Sequence, residues 1–179
     1  GFETVTYLLE GAMQHADSAG NRGDLNPGDV QWMTAGRGVI HSELPQDDFF
    51  ETGGLTHGFQ IWVNLPSEHK MMEPRYQDIP ANQIPKAVSD DGLVKAVVIA
   101  GKALGVSAVI DTVIPIQLIH VKMQPNSSFS HSIQSDLNVM TYVFGGALTI
   151  EGKTVEDGQL GLLTQGDKIE FTTGGNGAE

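Results

Sequence analysis

The spacing of its apolar segments limits this chain more than any other feature. Segments of four to eight residues rich in Val, Ile, Thr and aromatics recur from end to end, separated by turn residues. Residues 2–9, FETVTYLL, alternate and carry β-branched and aromatic side chains; the next stretch, EGAMQHADSAGNRGDLNPGD, is hairpin and turn vocabulary. VQWMTA, GVIHSE, GFQIWVNL, KAVVIAG, SAVIDTVI, QLIHVKM, NVMTYVFGG, ALTIEG, GQLGLLT and DKIEFTT continue the rhythm. No segment carries a sustained helical period. Many short strands with 22 glycines between them predict a β-sandwich or closed barrel, not alternating βαβ units.

The middle of the chain breaks this rhythm. Residues 66–92 concentrate prolines and charges, as a connection between two β units would, which places a boundary near residue 90 and two domains at 1–89 and 90–179. NPGDVQWM (26–33) and TQGDKIEF (164–171) echo one another, a hint of duplication. With 179 residues, 40% of them hydrophobic, the chain can bury one large or two small cores. It has no apolar run long enough to span a membrane as a helix. A formal charge of −12 with ten Lys and Arg argues against direct nucleic-acid binding, which needs a clustered basic surface. The absence of cysteine removes disulfides and thiolate metal sites and leaves His, Asp and Glu as ligand types.

Within GRGVIHSELP (36–45), His41 and Glu43 stand two places apart in an extended segment, so imidazole and carboxylate share one face. On its own terms that is half a metal site or an ordinary polar edge. Phe2, Trp32, Met33, His57, Phe59 and Trp62 are candidates for an apolar pocket holding a flat ligand, with core packing as the alternative. Parity divides the last strand of this group: Phe59, Ile61 and Val63 lie on one face, Gln60, Trp62 and Asn64 on the other. His15 reads as a turn residue bonded to Asp17 or backbone, His69 as exposed, and His120 as packed or at a sheet edge. His131 has no partner at ligand spacing, so the second half is expected to hold no metal.

The runs GFETVTYLLEG, HADSAGNRGDLNPGDVQWMTAGRGVIHSELP and HGFQIWVNLP closely resemble the pirin family of two-domain cupins, with a looser match through GKALGVSAV and GGALTIEG to QGDKIEF. The resemblance implies an all-β chain of two antiparallel jelly-roll barrels, only the first of which binds metal, usually iron. It implies two histidines in a His-Pro-His-Arg segment followed later by a His-x-Glu pair, which His41 and Glu43 match. The first pair would lie just upstream of Gly1, so the chain is expected to be truncated there, and also before the closing segment at its other end. Glu3 matches the glutamate of the general cupin pattern and is expected behind the ligands or as an alternative one. Such a ligand set suits Fe(II) or a related divalent metal. The implied activities are a dioxygenase cleaving flavonols such as quercetin, with Glu43 as ligand and base, or an iron-responsive regulator that binds a protein partner. The expected location is the cytoplasm, or the nucleus in a eukaryote.

Overall fold

The computed structural model describes residues 1–179, which form two compact β units. The first consists of Gly1–Ile84 with Ala108–Ile116, and the second of Pro85–Ser107 with Gln117–Glu179. Each is antiparallel throughout, as alternating patterns joined by short turns favour.

In the first unit β1 (Phe2–Glu10), β2 (Met13–Asp17), β3 (Arg22–Leu25), β4 (Val30–Thr34) and β5 (His41–Pro45) are followed by a short helix, α1 (Asp47–Thr52), then β6 (His57–Asn64) and β7 (Arg75–Ile79). They make two sheets, β6-β1-β4-β7 and β3-β2-β5. β1 and β4 are central and almost wholly buried; Val5 and Trp32, directly opposite one another, have no exposed surface. The proline-rich stretch read as a connector contributes β7, whose RYQDI alternates well enough to pair along the whole of β4. β7 is an edge strand, which explains its polar composition.

The expected strand SAVIDTVI does not form. Residues 108–116 run irregularly along the first unit, and β7 side chains bond the backbone of Asp111 there in place of a ladder. The Gln77 amide accepts from the Asp111 N–H and donates to the Asp111 carbonyl, both at 2.9 Å, while Arg75 donates to that carbonyl at 2.8 Å and to Asp111 Oδ2 at 2.9 Å. Pro115 has no N–H to offer a sheet.

The second unit contains β8 (Lys86–Val88), β9 (Val94–Ala100), β10 (Lys102–Ala103), β11 (Val106–Ser107), β12 (Leu118–Met123), β13 (Ser128–Ser132), β14 (Met140–Tyr142), β15 (Gly146–Ile150), β16 (Lys153–Glu156), β17 (Leu160–Leu162) and β18 (Lys168–Ala178). Its main sheet runs β16-β15-β18-β12-β9-β8, with β13 also on β18, and β14-β17 and β10-β11 form separate pairs. Val94, Met123, Phe129, Val143, Leu148, Ile150, Ile169 and Phe171 pack together as its core. Each fully buried side chain of this size is worth about 1.5–3 kcal/mol.

Candidate functional site

β5 carries His41 and Glu43 on one face, as period-2 alternation requires, and β2 lies beside it with Asp17 opposite His41 and His15 opposite Glu43. His41 is exposed and Glu43 half-buried. The other sheet supplies what holds Glu43. Thr6 Oγ1 on β1 donates to Glu43 Oε1 at 3.1 Å, and Gln60 Nε2 on β6 donates to Glu43 Oε2 in a close contact. Gln60 Nε2 also lies 3.3 Å from Thr6 Oγ1, and Trp62 Nε1 donates to Gln60 Oε1 at 3.3 Å. Both carboxylate oxygens are therefore fixed, and the amide that fixes one of them is itself held by an indole. Thr6 and Gln60 sit opposite one another in the β1–β6 ladder, so they reach Glu43 together.

His15 is the cross-strand neighbour of Glu43. It is buried in β2, not placed in a turn, with its ring stacked on Tyr76 at a centroid distance of 5.6 Å and Nε2 3.5 Å from Asp78 Oδ2. Neither ring nitrogen makes a hydrogen bond. Burial, reinforced by the Asp17 carboxylate, pushes the Tyr76 phenol well above its ordinary range. The Asn21 side-chain amide, assisted by the backbone N–H groups of Asn21 and Ala19, brings the Asp17 carboxyl down to about 2.

The other candidates separate. Glu3 lies three residues before Thr6 on an unbroken stretch of β1, hence on the opposite face from the one that meets Glu43. It is fully buried there, with Thr34 Oγ1 donating to its Oε1 at 2.6 Å and Oε2 unpaired. Trp32 shares that face and is part of the core. Phe59 follows the same parity and turns away from Gln60, while His57 packs tilted against it at 6.0 Å. Met33 is on the face of Thr4 and Trp62 but has no exposed surface. Phe2 stacks on Trp62 at 4.8 Å, and both rings are accessible to solvent. The six residues expected to line one pocket thus divide between two faces of the sheet, and only Phe2 and Trp62 offer an open aromatic surface.

Sequence reasoning passed over Thr6, Gln60, Tyr76 and the burial of His15. A signal existed for two of them: Thr4 and Thr6 in ETVTY, and Gln60 in GFQIWVN, are polar at alternating positions within otherwise apolar strands. Elsewhere, His69 lies 3.6 Å from Glu68, His131 Nε2 is 2.6 Å from Gln117 Oε1, and His120 Nε2 meets Glu179 at 3.1 Å.

As a metal centre, His41 and Glu43 supply one imidazole and one carboxylate, a borderline donor pair suited to a divalent first-row ion. No three His, Asp or Glu side chains converge to hold such an ion, so the donors of this chain do not complete a site by themselves. The Glu43 carboxylate can act as a hydrogen-bond acceptor or a base irrespective of that. No helix is long and apolar enough to cross a membrane.

The Pirin family model matches residues 1–63. Human Pirin (Homo sapiens) is 40% identical over 175 residues, covering 95% of this chain and 58% of that protein. A pirin-like protein from Solanum lycopersicum is 42% identical over 146 residues, covering 82% of this chain and 48% of its own length. The crystal structure of a quercetin 2,3-dioxygenase from Acinetobacter baumannii is 33% identical with a TM-score of 0.93, covering 99% of this chain and 62% of the other. The chain spans about half the length of these two curated relatives.

Proposed function

This chain belongs to the pirin family and has its all-β cupin fold, and on that premise we propose that the whole protein is a dioxygenase of flavonols of the quercetin type. The observation that carries the reading is the fixed Glu43 carboxylate. Thr6 and Gln60 satisfy it by donation, which keeps it an acceptor and orients it beside His41. A carboxylate so held is suited to accept the proton of an acidic enol hydroxyl. The stacked Phe2 and Trp62 rings, joined to it through Gln60, offer a surface for a flat aromatic molecule. Fe(II) or a related divalent metal is part of this proposal: His41 and Glu43 would be two of its ligands, and two histidines upstream of Gly1 would complete the set. Glu3, facing away, would serve the fold and not the ion.

The test is oxygen consumption with quercetin by a protein extended upstream with His-Pro-His-Arg and loaded with iron. Turnover that is lost in Glu43→Ala and in His41→Ala is the expected result. Absence of turnover in the extended, iron-loaded parent would overturn the reading. A second reading, a regulator that binds another protein, draws on the exposed Ile40 and Leu44 flanking the same pair. It predicts a partner whose binding is sensitive to Ile40→Asp and indifferent to Glu43→Gln. Either function suits a cytoplasmic or nuclear protein.

A further inference from the structure

We infer that Gln60 is a positioning residue for Glu43, and that Trp62 sets the direction in which Gln60 works. The inference rests on the proposed role of Glu43 and adds to it a coupling between the aromatic surface and the carboxylate.

The chemistry of the three groups leaves one arrangement. A side-chain amide has a donor end and an acceptor end that are nearly equal in shape, so its direction is set by its partners. An indole N–H can only donate; Trp62 Nε1 therefore selects the oxygen of Gln60, which lies 3.3 Å away. That leaves the Gln60 NH2 group facing the carboxylate, where it donates to Glu43 Oε2 and lies within reach of Thr6 Oγ1. The opposite amide direction would set oxygen against carboxylate and N–H against N–H, losing both bonds at once. Trp62 and Gln60 share one face of β6 because they are two residues apart, so the strand itself supplies the spacing.

Trp62 is thus more than a surface for aromatic ligands. Trp62 is 68% exposed and its ring is stacked on Phe2 at 4.8 Å, while its N–H is held by the Gln60 amide oxygen. A planar ligand resting on that ring would meet a carboxylate already aimed by the amide that the ring's N–H holds. Groups that orient an active carboxylate in this way typically change activity by roughly 10–100-fold when removed.

Two measurements test this. The first needs no catalysis: in ¹H–¹⁵N spectra of the chain Gly1–Glu179, Gln60→Leu and Glu43→Ala are each expected to move the Trp62 indole signal and leave that of the buried Trp32 in place. An indole signal unmoved by both substitutions would overturn the inference. The second uses the extended, iron-loaded protein with quercetin. Trp62→Phe keeps the aromatic surface but removes the N–H, so kcat should fall roughly 10-fold with KM nearly unchanged. Gln60→Leu should lower kcat by at least as much. A Trp62→Phe change confined to KM would make Trp62 a ligand surface only and overturn the coupling. If the parent does not turn over quercetin but the indole signal moves as described, the dioxygenase reading fails and the positioning of Glu43 stands.

Discussion

Gly23→Ala puts the burial of His15 to a quantitative test. Gly23 faces His15 across the β2–β3 ladder, and a methyl carbon there would lie 2.4 Å from His15 Nε2 and 3.2 Å from Cδ2 and Cε1. Ordinary contact between such atoms begins near 3.5 Å, so the ring must retreat by roughly 1 Å. It has little room to do so: Tyr76 is stacked on it at 5.6 Å and Asp78 stands 3.5 Å from Nε2. Forced overpacking of this kind costs about 1–3 kcal/mol. Gly23 is not in the left-handed region, so the backbone accepts alanine, and reduced freedom of the unfolded chain returns about 0.4–1 kcal/mol. A net loss of about 0–2.6 kcal/mol, centred on ~1.3, is expected from urea unfolding followed by fluorescence of the buried Trp32. In a His15→Ala background the clash vanishes, and the same substitution should become stabilising by about 0.4–1 kcal/mol. Equal effects of Gly23→Ala in both backgrounds would refute the placement of the ring.

Further expectations concern the second unit and the surface. Burial holds both His120 and His131 below the ordinary histidine value of 6.5, so each binds its proton more readily when unfolded. Their contribution to stability is complete above that value and is lost as pH falls toward the folded values; the unfolding midpoint should decline from pH 7 to pH 5, and His120→Gln with His131→Gln should flatten the slope. Phe129→Ala removes a ring stacked on Phe171 at 6.1 Å in the core of this unit and should cost about 3–5 kcal/mol in chemical denaturation. With a formal charge of −12, random duplex DNA at physiological salt should show no gel shift at micromolar protein.

What could be read from the sequence follows from how local each property is. The common face of His41 and Glu43 depends only on strand period, and the division of Phe59 from Trp62 likewise. The identity of the groups that hold Glu43 depends on register between strands far apart in the chain, which brings Thr6 from 37 residues away and Gln60 from 17. His15 was misread because Asp17, Gly20 and Asn21 crowd the residues after it. The turn begins only at Asp17, whose Oδ1 accepts from the N–H groups of Ala19 and Asn21, and leaves His15 in the preceding strand. The strand expected at 107–114 was legible as apolar but not as unpaired, since nothing local announces that Arg75 and Gln77 will claim Asp111. Polar alternation in RYQDI was masked by the prolines around it, so an edge strand passed for a linker.

The irregular segment Ala108–Ile116 also has a consequence in time. The first unit is completed by residues that a ribosome makes only after β8 to β11 of the second have been synthesised. At about 5–20 residues per second, residues 85–116 take roughly 2–6 s to emerge in sequence. During that interval β7 is present without Asp111, and Arg75 and Gln77 have water in place of their eventual partner. The nascent chain therefore passes through a stage in which both sheets of the first unit can pair while this edge stays open. A chaperone or a second nascent chain would find that stage, and not the finished molecule, the easier one to engage.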